Sequence, residues 1–210
     1  MYFRQLPHVH SGAFCYLLAD PCAQEAVVID PHPDQADLVL AILQERDLRL
    51  IHVLRTHLHD DHEPCGALCD FTGATRIAGP GSSDTKACIV THGDTLVFGC
   101  EVVRVLSTPG HTPDAVSYLW RDRLFSGDAL HPDGCPAPLT TTDPGQWYDS
   151  VTRRLFLLPD ETLVFPGHAS AGRTVSTIAE ERRRNPAFGA TSRDGFITDT
   201  LARTAIPRDF

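Results

Sequence analysis

Four times along this chain, an apolar stretch typical of a buried strand ends in a short turn that carries histidine or aspartate. The richest case is the stretch 50–54, which is followed by His57, His59, Asp61 and His62. Neutral imidazole and carboxylate are common ligands of metal ions, and open α/β sheets place their chemistry beyond the C-terminal ends of strands. A packing role does not explain this spacing, so the run predicts a metal site.

Three later turns share one design, in which a strand is followed by a glycine and then by a polar residue. Glycine allows the backbone to turn sharply. The polar residues are His111, Asp128 and His168, after the predicted strands 101–106, 123–126 and 162–165. One such motif alone is more often structural, whereas three beside the histidine-rich run indicate a shared metal centre. Among the other histidines, His131 has the strongest reason to line the pocket, because it follows Asp128 by three positions.

Apolar periodicity predicts the remaining architecture. Strands are expected at 13–19, 26–30, 50–54, 75–78, 95–98, 101–106, 115–120, 123–126 and 162–165, and helices at 33–46, 64–71, 145–158 and 174–184. This order suits two sheets packed together and covered by helices. We expect a single domain over residues 1–210.

The composition excludes some classes of partner. A net charge of −9 argues against a general binder of nucleic acid or anionic membranes, because both need a basic face. No apolar run approaches the roughly 20 residues of a membrane span, and the first residues lack the apolar segment of a signal peptide. We therefore expect a cytoplasmic protein. Seven scattered cysteines predict free thiols in a reducing compartment. The protein is also expected to be compatible with a homodimeric state.

The complete ligand pattern resembles that of the metallo-β-lactamase superfamily. It comprises His57, His59, Asp61 and His62, followed by His111, Asp128 and His168. The resemblance implies an α/β fold, an αββα sandwich of two mixed β-sheets flanked by helices, with the metal site at one edge between the sheets.

Further motifs resemble the persulfide dioxygenases within that superfamily. They lie at 3–6, 16–20, 25–31, 107–113, 126–130 and 174–182. These enzymes use O2 and one Fe(II) to oxidise glutathione persulfide to sulfite and glutathione. The resemblance implies that His57, His111 and Asp128 are the catalytic two-histidine, one-carboxylate iron site, with three coordination positions left open. It also implies that Asp30 supports the ligand loop, and that His59, Asp61, His62 and His168 surround the ion without binding it.

The chain departs from this family where the substrate binds. The family's arginine for a glutathione carboxylate belongs to a segment that is replaced here at 134–142. Arg173 and Arg182 are the alternative candidates for holding an anionic substrate. The substrate is therefore expected to be glutathione persulfide or a related thiol persulfide.

Two other functions remain open. A dinuclear hydrolase of the glyoxalase II type, acting on a thioester, would hold two Zn, Fe or Mn ions. Its ligands would be His57, His59 and His111 for one ion, Asp61, His62 and His168 for the other, and Asp128 as the bridge. The second alternative is a non-catalytic sulfur or metal sensor or carrier that uses Cys65, Cys69 or Cys135. Metal content separates the two enzymes, because the dioxygenase needs one ion and the hydrolase two.

Overall fold

A computed structural model describes residues 1–58, 66–132, 134–139, 141–169 and 172–204. Its strands form two six-stranded sheets, each in sequence order. The first sheet contains β1 (Tyr2–Pro7), β2 (Phe14–Asp20), β3 (Glu25–Ile29), β4 (Arg49–Leu54), β5 (Thr75–Ala78) and β6 (Cys88–Ile89). The second contains β7 (Thr95–Phe98), β8 (Glu101–Ser107), β9 (Val116–Trp120), β10 (Arg123–Gly127), β11 (Leu163–Pro166) and β12 (Ser176–Thr177). Both sheets mix parallel and antiparallel pairs.

Helices cover the outer face of each sheet. They are α1 (Ala36–Glu45), α2 (Gly66–Thr72), α3 (Pro144–Arg153), α4 (Ile178–Arg184) and α5 (Arg193–Thr204), with single 3-10 turns at Pro33–Gln35 and Leu155–Leu157. None of the described helices is long and apolar enough to cross a membrane.

Strand β2 shows why the layers stack. All of its residues are buried, and they alternate between two hydrophobic clusters. Tyr16 and Leu18 face the second sheet, where they join Tyr118 and Phe125, whereas Leu17 packs on the opposite side with residues of α1. A strand that is covered on both faces has a continuous run of apolar residues in its sequence. The predicted αββα sandwich is therefore confirmed.

The strand directions bring the predicted ligand turns to one edge. Strands β8 and β10 run in the same direction, because each is antiparallel to β9, and β11 is parallel to β10. At this edge the two sheets are joined by backbone hydrogen bonds. The Val116 N–H donates to the Thr56 carbonyl at 2.7 Å, and the Phe14 N–H donates to the Gly167 carbonyl at 2.8 Å.

The structure adds elements that the apolar pattern did not predict. Strand β1 is half exposed and lacks a clear alternation, and β6 and β12 have only two residues each. Helix α5 buries only Phe196 and Thr200. The helix predicted for 174–184 begins instead at Ile178, because Ser176 and Thr177 pair with β11 and the Thr177 side chain accepts from the Glu180 N–H.

Candidate metal centre

His57 lies directly after β4, and a chain of hydrogen bonds orients its ring. The Asp30 carboxylate accepts from the backbone N–H of Thr56 at 2.8 Å and from the Thr56 hydroxyl at 2.7 Å. The hydroxyl oxygen lies 2.9 Å from Nδ1 of His57. Because the single hydroxyl proton is directed to Asp30, Nδ1 of His57 is the donor in that contact. The lone pair of Nε2 therefore faces away, as a metal ligand requires.

Asp30 occupies a constrained position at the end of β3. Its φ of 48° is in the left-handed region, which is uncommon for a residue other than glycine. Its N–H donates to the Leu54 carbonyl at 2.9 Å, which ties β3 to β4. Burial raises the pKa of Asp30, and the hydrogen bonds from Thr56 oppose that rise. The contacts of Asp30 reach His57 through Thr56, and its supporting role stays a prediction.

His111 is held by a close contact between its turn and α3. Gly110 has a φ of 140°, and a Cβ at this position would lie 2.2 Å from the Cα of Trp147. Only glycine fits there. The rings of His111 and Trp147 are 5.2 Å apart between centroids, and the indole N–H donates to the Ala129 carbonyl at 2.7 Å. One side chain of α3 therefore braces both the His111 turn and the turn after β10.

Asp128 completes a compact group with the two histidines. Its Oδ2 lies 3.6 Å from Nε2 of His57 and 3.7 Å from Nε2 of His111. One ligand atom from each of the three residues lies within 4.8 Å of the others. The side chains are buried, with 8%, 1% and 4% of their residue surface exposed. The three residues that the sequence predicted as one site are thus brought together.

This group fits a metal ion. Two atoms that each lie about 2.1 Å from a shared ion can be at most about 4.2 Å apart, and both separations from Oδ2 meet that limit. Two imidazoles and one carboxylate suit Fe(II), and they also suit Zn(II). The tautomer of His57 supports the same conclusion, because it leaves Nε2 able to bind.

The other oxygen of Asp128 has different partners. Oδ1 lies 2.9 Å from Nε2 of His131 and 2.8 Å from Nδ1 of His168. Burial alone would raise the pKa of Asp128, but hydrogen bonds from His131 and His168 and the electrostatic influence of the nearby imidazoles of His57 and His131 hold it well below its ordinary value. The carboxyl group is therefore ionised and can only accept. The hydrogen bond to Asp128 raises the pKa of His168, against the effect of burial.

The remaining residues of the histidine-rich run lie outside the described part of the chain. These are His59, Asp61 and His62. Their roles stay predictions. His168 lies beside Asp128, as described, and its Nδ1 faces Oδ1 rather than Oδ2.

A pocket opens beside His57 and His168. Its wall includes Ser11, Phe14, His32 and Arg55. Arg55 was not among the site residues predicted from the sequence. The backbone of Arg55 is fixed on both sides, since its N–H donates to Ile77 and its carbonyl accepts from the Tyr118 hydroxyl. Its Nε is buried and has no hydrogen-bond partner among the described residues. The sequence feature that could have indicated a role for Arg55 is its position directly before Thr56 and His57.

The two predicted substrate arginines have protein partners. Arg182 donates to Oδ1 of Asp160 at 2.8 Å and to the carbonyls of Phe156 and Leu158. Arg173 donates to Oε2 of Glu180 at 2.7 Å. An anionic substrate at either arginine would compete with these contacts. Their role in substrate binding stays a prediction.

A second cluster, of His8, His32 and Asp34, suits a metal ion less well. The backbone N–H groups of Ser11 and Asp34 donate to Nδ1 of His8 and of His32, respectively. The two rings stack with centroids 3.8 Å apart and planes inclined by 18°. Lone pairs of stacked rings run parallel and do not converge on an ion. We interpret this cluster as the cap of the turn that precedes α1.

Comparison with known proteins finds similarity to two classes of enzyme. Residues 89–168 match the family model described as the metallo-beta-lactamase superfamily. Human mitochondrial persulfide dioxygenase ETHE1 is 35% identical over 192 residues, which cover 87% of this chain and 74% of that protein. The crystal structure of ETHE1 from Myxococcus xanthus is 45% identical, with a TM-score of 0.93 over 99% of this chain and 93% of that one. A hydroxyacylglutathione hydrolase of Rhodopseudomonas palustris is 31% identical, covering 92% of this chain and 77% of the hydrolase.

Proposed function

Because this chain belongs to the metallo-β-lactamase superfamily, with the persulfide dioxygenases among its relatives, we propose that it is an iron-dependent dioxygenase of a low-molecular-weight persulfide. The reaction consumes one persulfide, one O2 and one water, and releases the thiol, sulfite and two protons. The observation that carries the proposal is the buried group of His57, His111 and Asp128, in which one carboxylate oxygen faces both imidazoles. These residues would hold one Fe(II) per chain.

Bound Fe(II) would supply a centre at which persulfide sulfur and O2 meet, so that their reaction no longer depends on a chance encounter. The chain's own residues prepare that centre. Thr56 and Asp30 fix the tautomer of His57, and Trp147 fixes the turns of His111 and Asp128. Burial of all three ligands excludes bulk water from them.

Arg55 would bind the anionic end of the persulfide. It lines the same pocket as His57, and it forms no ion pair with the described residues. A thiol such as glutathione carries carboxylates, for which a guanidinium group is a fitting partner. Arg55 would thereby replace the arginine that is missing from segment 134–142. Arg173 and Arg182 are weaker candidates for binding the anionic end of the persulfide.

The second candidate is the two-metal thioester hydrolase. His168 favours it by its position, because its ring lies beside the oxygen of Asp128 that a bridging carboxylate would use; in a two-metal site Nδ1 of His168 would be deprotonated rather than donating to that oxygen. The similarity to a hydroxyacylglutathione hydrolase points the same way.

One experiment separates the two functions. The protein is purified without oxygen, its metal content is measured, and it is then given glutathione persulfide with O2 or a glutathione thioester without O2. We expect about one iron per chain and the uptake of one O2 for each sulfite formed. Two metal ions per chain, with thioester hydrolysis and no O2 uptake, would contradict the proposal. A protein that carries persulfide sulfur without turnover would be the sensor or carrier.

The remaining properties are proposals of the same kind. Five described cysteines (Cys22, Cys69, Cys88, Cys100 and Cys135) are free thiols, which supports a reducing compartment such as the cytoplasm. A homodimer and a single domain over 1–210 also stay predictions. Sedimentation of the purified protein measures the first, and limited proteolysis tests the second.

A further inference from the structure

His131 makes a contact that the proposed reaction does not by itself require. Its Nε2 lies 2.9 Å from Oδ1 of Asp128, and the histidine is buried with 6% of its surface exposed. A carboxylate that binds a metal ion is deprotonated and can only accept, so Nε2 of His131 is the donor in this contact. Nδ1 of His168 is the second donor to the same oxygen, at 2.8 Å. A carboxylate oxygen has about two acceptor positions, so Oδ1 is saturated.

The backbone of His131 is anchored from α4. Its carbonyl accepts from Nδ2 of Asn185 at 2.9 Å, and the same amide group donates to the Gly134 carbonyl at 3.1 Å. Oε2 of the buried Glu181 lies 2.7 Å from the same nitrogen, so the two N–H groups of Nδ2 are shared among three acceptors, and the Ser176 hydroxyl donates to the other oxygen of Glu181. This network indicates a structural role for the 174–182 motif, which contributes no residue to the candidate metal centre. It holds the turn that carries His131.

We propose that His131 is a positioning residue that keeps the metal centre mononuclear. Its N–H and that of His168 together occupy Oδ1 of Asp128, so that only Oδ2 faces the ion at His57 and His111, and loss of His131 would reopen one acceptor position on Oδ1. The carboxylate is thereby kept from binding through both oxygens and from bridging to a second ion. This preserves the three open positions that a persulfide and O2 need, and the inference therefore rests on the proposed single-iron function.

The test compares metal binding by four proteins: wild type, H131L, H131Q and H92L. Leucine removes the donor, whereas the amide nitrogen of glutamine can reach a position close to that of Nε2. His92 is exposed, and H92L is the matched control for loss of a histidine. Each metal-free protein is titrated anaerobically with Co(II), and both the dissociation constant and the number of ions retained per chain are measured.

We expect wild type, H92L and H131Q to bind one ion with similar affinity. H131L should bind its first ion about 10–100-fold more weakly, as loss of a group behind a metal ligand does, and should accept a second ion in excess Co(II). One ion bound by H131L with wild-type affinity would overturn the inference. So would two ions bound by wild type and one by H131L, because His131 would then be a ligand.

A measurement on wild type covers the case in which H131L does not fold. NMR of the Zn(II)-loaded protein with 15N-labelled histidine should show a proton on Nε2 of His131, in a signal assigned by its absence from H131Q. A deprotonated Nε2 would overturn the inference. The proposed reaction is tested separately, since a one-ion protein that consumes no O2 refutes the dioxygenase and leaves the positioning role of His131 intact.

Discussion

The two carboxylate oxygens of Asp128 contact different partners. Oδ2 faces His57 and His111, whereas Oδ1 accepts from two further histidines. Burial disfavours an ionised carboxylate, and the neighbouring imidazoles of His131, His168 and His57 lower the pKa of Asp128 and keep it ionised. Single hydrogen bonds at this centre therefore have consequences for metal affinity.

The Thr56 hydroxyl is the first such case. In T56V the link between Asp30 and His57 is lost without a large change of volume, and His57 can adopt the other tautomer. We expect metal affinity to fall about 10–100-fold. T56S keeps the hydroxyl and is the matched control, and equal Co(II) affinities of T56V and wild type would contradict this reading of the hydrogen-bond chain.

Arg55 is the second case. Replacing it by methionine keeps the aliphatic stem and removes the charge, so R55M should raise KM for glutathione persulfide about tenfold or more with little change in kcat. A persulfide of a thiol without charged groups should be oxidised equally well by R55M and wild type. Equal KM values for glutathione persulfide would exclude Arg55 as the anion partner.

At the scale of elements, α3 acts as a brace for two ligand turns. It contacts the His111 turn at Gly110 and the Asp128 turn through the indole of Trp147. We therefore expect metal affinity to depend on a helix that supplies none of the three candidate ligands. The contact at Gly110 is the tightest point of this brace.

Substitution of Gly110 tests the brace directly. In G110A the new methyl group would overlap the backbone of Trp147, and the φ of 140° is strained for alanine. We expect a loss of about 3 kcal/mol or more in the free energy of unfolding, together with weaker metal binding. G134A is the matched control, because a Cβ there meets no heavy atom within 4 Å. Chemical denaturation of both variants measures the difference.

For the whole molecule, the three candidate ligands come from both sheets. His57 follows β4 of the first sheet, and His111 and Asp128 follow β8 and β10 of the second. An ion bound by all three ties the sheets together. A bound ion stabilises by about 2.7 kcal/mol when its free concentration is 100 times the dissociation constant.

Removal of the metal should therefore lower the melting temperature. For a chain of this size we expect a decrease of about 5–10 °C when a chelator removes Co(II) or Fe(II) under anaerobic conditions. D128N should melt at the same temperature with and without metal. A chelator effect of equal size in D128N would show that the stabilising ion binds elsewhere.

The sequence pointed to the candidate ligands more readily than to their surroundings. A strand, a turn and a polar residue form a local pattern, so His57, His111 and Asp128 could be found by reading along the chain. Arg55 and Thr56 precede His57 directly, yet their roles depend on a pocket wall and on Asp30, which are distant in sequence. Strand β1 escaped prediction because its residues are only half buried, and α5 because it buries so few side chains.

The origin of the ligands in both sheets also affects how the protein matures in the cell. During synthesis, His57 emerges well before Asp128, and Trp147, which braces both later turns, emerges after them. A nascent chain thus lacks the complete binding group until its second sheet and α3 are in place. Insertion of the proposed iron would consequently be a late step, which follows the folding of the second sheet and α3.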